Sequence, residues 1–152
     1  MPVVCATGYS VTVRGGGTAP SRAVYLCEPK IGLSPFGDEL RIAGIFELPG
    51  RTPRPSARRV AQLLDEAVLF LRDWRPDPAA DFGEGWAGLR PATPDSLPLL
   101  GQVPSHDGLY VAAGHGMLGI TLAPATGALM ADLIVRGSSP PELLAFAPGR
   151  KI

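Results

Sequence analysis

The chain has 152 residues, 45% of them hydrophobic and 18% charged, a balance that excludes disorder and suits an ordinary globular protein. Lys+Arg and Asp+Glu number 14 each, so no surplus of positive charge exists to neutralise a nucleic-acid backbone or hold an anionic membrane. No uninterrupted apolar run approaches the roughly 20 residues of a membrane-spanning helix, and Met1 to Ser10 lacks the pattern of a signal peptide, so a soluble, cytoplasmic chain with no nucleic acid partner and no membrane span is expected.

The elements follow in chain order. Tyr9 to Val13, Ala23 to Leu26, Lys30 to Leu33 and Leu40 to Phe46 are rich in β-branched and aromatic residues and are separated by Gly/Pro clusters, which predicts short strands of one sheet. Ser34 to Asp38 (SPFGD) is loop chemistry of hairpin length, so the strands flanking it are expected to pair antiparallel. Arg14 to Pro20 (RGGGTAP) reads as a flexible loop; without a Lys-Ser/Thr pair and a following helix it is not a phosphate loop. Cys5 and Cys27, with no CxxC motif, read as two buried thiols rather than a metal site or a disulfide.

Leu48 to Pro55 is a Pro/Gly/Arg connector. Beyond it Val60, Leu63, Leu64, Ala67, Leu71 and Trp74 recur at helical spacing, predicting an amphipathic helix that packs on the sheet and ends at Arg75 to Ala80 (RPDPAA). Arg58, Arg59, Asp65, Glu66 and Arg72 mostly fall off that stripe and read as a solvated face. Further on, Phe82 to Leu89 is expected to be extended, Arg90 to Gly101 a proline-punctuated loop, and Leu109 to Ala113 a short buried strand. Gly119 to Arg136 is expected to be a helix with Pro124 in or near its first turn and Gly137 as its stop, and Ser138 to Ile152 an irregular tail.

Gly114 to Gly119 (GHGMLG) matches G-x-G-x-x-G between a strand and a helix, the form of a dinucleotide-binding turn. Such a site also needs a second parallel strand and an acidic residue about 20 positions on. Here that region is Ser138 to Glu142, polar and double-proline, so the alternatives are a structural tight turn or a glycine-lined helix start that offers N–H groups to an electron-rich ligand.

Four ordered blocks then carry a resemblance: Trp86 to Asp95 (WAGLRPATPD), Leu97 to Gly101 (LPLLG), Gly108 to Gly116 (GLYVAAGHG) and Gly119 to Gly127 (GITLAPATG). Together they resemble the C-terminal part of FAD-dependent D-amino-acid dehydrogenases and of their glycine oxidase and D-amino-acid oxidase relatives. Gly8 to Val13 and Leu40 to Gly44 resemble substrate-domain strands of the same family. The resemblance implies an α+β fold: a mostly antiparallel substrate-domain sheet with a packing helix over 1–80, then the C-terminal strand-turn-helix of an FAD-binding domain over 81–152. The family's N-terminal FAD-binding βαβ unit has no counterpart in these blocks.

The resemblance also assigns roles. Arg90 matches the arginine that grips the substrate carboxylate, a task suited to a planar guanidinium. Gly114, His115, Gly116, Met117, Leu118, Gly119, Ile120 and Thr121 match the turn and helix start against the flavin ring, with FAD as cofactor. His115 as a proton carrier has little support beyond its residue type. Tyr9, Phe46 and Glu47 lie on strands that would roof the substrate pocket, where core packing is the plain role of Tyr9 and Phe46 and a solvated strand end that of Glu47. The implied reaction is dehydrogenation of a small (D-)amino acid to its imine and 2-oxo acid. The competing expectation is a catalytically silent truncated fragment or subunit that needs a partner chain to bind FAD; a partner chain supplying the rest of the FAD site, or a homo-oligomer, is the expected association.

Overall fold

The computed structural model describes residues 2–48, 54–77, 82, 85–137 and 139–151. It divides into two compact units, one formed by Ala6–Leu89 and one by Arg90–Ile152 with Met1–Cys5.

In the first unit alternation of side chains along the strands builds one apolar face. Strands β1 (Val4–Arg14), β2 (Val24–Leu26), β3 (Ile31–Phe36), β4 (Glu39–Glu47) and β5 (Trp86–Ala92) form a sheet in the order β2-β3-β4-β1-β5, with the start of β1 and the end of β5, from Arg90 on, counted in the second unit. The pairs β1–β4, β2–β3 and β3–β4 are antiparallel, as expected. Val11 and Leu33 both sit opposite Ile42, and Val13 sits opposite Leu40, so buried residues lie side by side across three strands. Helix α1 (Ala57–Phe70) covers that face with Val60, Leu63, Leu64 and Ala67, and its N-cap Ser56 accepts a hydrogen bond from the Arg59 N–H.

Several expectations need correction. The loop predicted over Ser34 to Asp38 shrinks to a two-residue turn at Gly37-Asp38, and Pro35 lies inside β3. A two-residue turn makes Phe36 and Glu39 the hydrogen-bonded pair, so Pro35, opposite Leu40, directs its nitrogen away from β4. On that side β2 pairs only with Ile31 to Leu33, so the missing N–H costs no ladder bond. The Arg14 to Pro20 loop is docked: the Thr18 N–H donates to the Asp73 carbonyl, the Arg75 N–H to the Gly16 carbonyl, and the Trp74 indole N–H to the Gly15 carbonyl at 3.1 Å. Helix α1 therefore stops at Phe70 rather than running on to Trp74, which turns back fully buried beneath this glycine loop. Cys5 and Cys27 are exposed free thiols, not buried ones. Parts of the Leu48 to Pro55 connector and of the Arg75 to Ala80 and Phe82 to Leu89 segments lie outside the described residues, as does Ser138.

Phe46 was expected in the core and is 41% exposed. The cause is a β-bulge: the register runs Tyr9↔Gly44, then Gly8↔Phe46, leaving Ile45 unpaired with φ +60°. One extra residue on β4 exchanges the faces beyond it, turning Phe46 outward and bringing Glu47 opposite Thr7 onto the helix side. There the Tyr9 hydroxyl donates to Glu47 Oε2 at 2.9 Å and Arg59 of α1 donates to Glu47 Oε1 at 2.5 Å. Arg59 thus leaves the solvated face assigned to it, and Glu47 is a staple joining β1, β4 and α1.

The second unit holds a two-stranded antiparallel sheet of β6 (Leu99–Gln102) and β7 (Tyr110–Ala113), helix α2 (Gly119–Arg136) and a 3-10 helix over Pro141–Phe146. Its core joins Leu100, Met130, Leu133 and Leu143. Arg90 lies on a strand, not in a loop, and β6 takes the last part of that predicted loop. Gly137 stops α2 in the left-handed conformation with φ +66°, as expected. Pro124 falls at the start of the second turn, near the first, as expected. The tail is not irregular: beyond its 3-10 helix, Arg150 fastens it to Asp95. Of the 18 residues of α2 only Met130 and Leu133 are buried, while Ile120 and Val135 are 93% and 82% exposed. With mean hydropathy 1.2 it is long and apolar enough to cross a membrane by those two measures alone.

Two outcomes follow from the first unit. A Cβ at Gly17 would lie 2.3 Å from the Asp73 carbonyl oxygen at φ +104°, whereas Gly15, at φ +72°, faces open space. Gly17→Ala is expected to destabilise by about 3 kcal/mol and Gly15→Ala by about 1 kcal/mol in urea unfolding; equal losses would mean that the close approach to Asp73 does not matter. Hydrogen bonds from Arg59 and then Tyr9 hold the Glu47 carboxyl below its ordinary value of 4.5, so its contribution is complete above that pH and is lost as pH falls through the depressed value. Burial and then the bond to Glu47 hold the Tyr9 hydroxyl above its ordinary 10.0, so its contribution is present below that pH and lost as pH rises through the raised value. The stability gap between the natural chain and Glu47→Gln, followed by urea unfolding, should shrink below pH 4.5 and be widest at neutral pH; a gap independent of pH refutes the staple.

Candidate functional site

Strand β5 carries Arg90 in the sequence Gly-Leu-Arg-Pro. Its side chain is partly buried and makes no hydrogen bond or ion pair among the described residues. The other partly buried arginines, Arg59 and Arg150, are paired, and those lacking a partner elsewhere, such as Arg22 and Arg72, are exposed. A guanidinium held partly out of water with its donors open is suited to a bidentate carboxylate.

The residue after Arg90 anchors the glycine turn. The Gly116 N–H donates to the Pro91 carbonyl at 2.7 Å, and the Leu118 N–H to the His115 carbonyl at 2.9 Å. Gly114 adopts φ +81° and its backbone passes against the loop after β5: a Cβ there would lie 2.8 Å from Thr93 Cγ2, so glycine is required on both counts. Gly116 adopts φ +56° and faces open space. The helix start that follows has Leu118 as N-cap and no side-chain cap, so the first-turn N–H groups of Gly119, Ile120 and Thr121 have neither an intrahelical nor a side-chain partner. Met117, Leu118 and Ile120 are exposed apolar side chains around them. Arg90 and the turn from Gly114 to Thr121 therefore belong to one unit and are joined through Pro91.

His115 is partly buried, with Nε2 3.1 Å from Thr126 Oγ1, which ties the turn to the next turns of α2. The dinucleotide reading of the turn fails on topology. β7 pairs antiparallel with β6, and among the described residues α2 is followed by the 3-10 helix and not by a parallel strand. The residues expected to roof a pocket lie in the other unit, where Tyr9 and Glu47 are joined and Phe46 is turned away from them. A separate groove of about 490 Å³ in that unit runs between the Gly15 to Ser21 loop and the β3–β4 turn and contains none of the expected site residues.

One group was missed altogether. Arg150 donates from Nε to Asp95 Oδ2 at 2.8 Å and from Nη2 to Asp95 Oδ1 at 3.0 Å. Its remaining donors reach the carbonyls of Leu97, Pro98, Phe146 and Ala147. The hydrogen bond from Arg150, ahead of one from the Leu97 N–H, holds the Asp95 carboxyl well below the usual carboxylate range. The PATPD block is visible in the sequence, but nothing local couples it to an arginine 55 residues away.

Comparison with known proteins was decisive for the family. The family model of FAD-dependent oxidoreductases (DAO) matches residues 1–133. A D-amino acid dehydrogenase of Paramagnetospirillum magneticum is 42% identical over 138 residues, 88% of this chain and 31% of that protein. D-amino acid dehydrogenase 2 of Ralstonia nicotianae is 40% identical over 136 residues, 85% of this chain and 32% of that protein. The solved glycine oxidase of Geobacillus kaustophilus superposes with a TM-score of 0.78 at 34% identity over 99% of this chain and 40% of its own. The chain thus spans about a third of the length of the curated relatives it matches. A match over so much of the chain, from the first strands of the sheet through the glycine turn and most of α2, makes this protein a member of the DAO family of FAD-dependent oxidoreductases.

Proposed function

We propose that the chain supplies the substrate-carboxylate clamp and the flavin-ring seat of an amino-acid dehydrogenase, with a small D-amino acid as substrate. The observation that carries the reading is the partly buried Arg90 guanidinium, open at every donor, one residue from the carbonyl that anchors the glycine turn. The kinship with D-amino acid dehydrogenases at 42% and 40% identity supports the substrate class. The turn also fits the family's cofactor: Gly116 leaves room where a side chain would stand, uncapped N–H groups at the start of α2 suit an electron-rich ring edge, and Met117, Leu118 and Ile120 offer apolar surface to a planar ring. FAD supplies the two-electron acceptor when bound.

The residues of the chain orient and shield. Arg90 fixes the carboxylate by two parallel hydrogen bonds, which sets the direction of the Cα–H bond; the glycines let backbone rather than side chains meet the ring; and the partial positive charge at the head of α2 favours the form of the cofactor that has gained electrons. The products are the imine and, after hydrolysis, a 2-oxo acid and ammonia. In the catalytically complete enzyme, Arg90→Ala should raise KM for the amino acid and cost about 3 to 5 kcal/mol in kcat/KM. Unchanged kinetics would remove the carboxylate assignment.

A second reading concerns the chain on its own: it is silent until further polypeptide, in the same or another chain, covers α2 and completes the FAD site. The exposed apolar side chains of α2 and the match to only 31% and 32% of the curated relatives favour it. Purified chain mixed with FAD and passed through gel filtration should emerge without flavin absorbance; stoichiometric retention would show that the chain alone holds the cofactor.

A further inference from the structure

We propose that Arg150 is a positioning residue: by clamping the loop Thr93 to Pro98 from behind, it sets the place of the glycine turn that faces the ligand. The path is continuous within the second unit. Arg150 grips both carboxylate oxygens of Asp95 and the carbonyls of Leu97 and Pro98. Inside the loop the Thr93 hydroxyl donates to the Leu97 carbonyl at 2.7 Å, the Leu97 N–H donates to Asp95, and the Ser96 N–H donates to the Thr93 carbonyl. The methyl of Thr93 then stands where a side chain at Gly114 would have to go, so the backbone at Gly114 rests directly on the loop.

The clamp is built to be stiff. All of its guanidinium nitrogens are engaged and its side chain is 11% exposed, so little motion is left to it. Its own segment is seated independently: Pro148 packs at Gly101 on β6, and Gly149 runs so close to Pro104 that a Cβ there would lie 2.9 Å from Pro104 Cγ. The loop is thus pinned between a docked tail and the glycine turn. A surface ion pair contributes little to stability, but a planar fork that fixes four acceptors on one loop fixes geometry. Asp95 is the neutralising partner, which keeps a carboxylate in this loop from acting as a free charge beside the turn.

The role of the turn as flavin seat is taken from the reading above, and the test separates the two. The amides of Gly116 and Leu118 are bonded to Pro91 and His115, so their hydrogen exchange reports on the turn. In Arg150→Gln, exchange at these two amides should rise by about tenfold or more while the interior of α2 keeps its protection. Arg150→Lys, which retains the charge and loses the fork, should give a smaller rise at the same amides. A parallel rise at every amide of the unit would reduce Arg150 to a general stabiliser, and no rise at Gly116 would remove the proposal. In the catalytically complete enzyme the FAD dissociation constant of Arg150→Gln should rise by about tenfold. Faster exchange at Gly116 with unchanged FAD affinity leaves the clamp standing and removes the flavin assignment of the turn.

Discussion

The arrangement of the candidate site depends on one backbone bond, from the Gly116 N–H to the Pro91 carbonyl. Pro91 lies on β5, the edge strand of its sheet, where a residue without an N–H is tolerated and a carbonyl can meet a segment that approaches from another direction. The approaching segment has to be glycine-rich. At Gly114 any side chain would collide with Thr93, and at Gly116 the left-handed backbone that aims the N–H at Pro91 suits glycine. A strand end and a helix start are thereby fixed to each other through main-chain atoms, while the side chain of Arg90 and the N–H groups of Gly119, Ile120 and Thr121 take no part in the join.

What was legible in the sequence was local. Alternation in Tyr9 to Val13 and Leu40 to Phe46 marks strands, the spacing of Val60, Leu63, Leu64 and Ala67 marks a helix, and Gly137 marks its end, because each signal lies within a few residues of the structure it reports. The errors came where a distant partner decides. The face of Phe46 turns on a bulge defined by pairing with Gly8 and Tyr9 on another strand, and the order in the Arg14 to Pro20 loop depends on Trp74, 59 residues beyond its partner Gly15. Trp74 itself continues the helical spacing while leaving the helix, so an apolar position was read correctly and its geometry was not. Of the candidate site, the Arg90 and glycine blocks were visible as motifs; the clamp at Arg150 was not, since a single arginine in a Pro/Gly tail carries no periodicity or spacing that would point to Asp95.

The exposed face of α2 links packing to function. Burying a large aliphatic side chain contributes about 1.5 to 3 kcal/mol, so Ile120 and Val135 standing nearly free of contacts represent stabilisation that the described residues do not use. The helix is anchored by Met130 and Leu133 in its C-terminal half, while Ile120 in its first turn and Ile134 and Val135 in its last are exposed. An exposed apolar face of this kind is what the second reading, of further polypeptide over α2, draws on.

Three arginines of similar setting argue for where a substrate anion would go. Arg59 and Arg150 are 27% and 11% exposed, and each meets a carboxylate of the chain, Glu47 and Asp95. The protein therefore pays the desolvation cost of a partly buried guanidinium only against a matching negative charge at those positions. Arg90 is also partly buried, yet it has neither a carboxylate nor a carbonyl among the described residues. It stands on a strand, and its neighbour Pro91 is locked to the glycine turn. By the standard the chain sets for its other two, a guanidinium in this setting suits a carboxylate partner, which is what the proposed role of Arg90 requires.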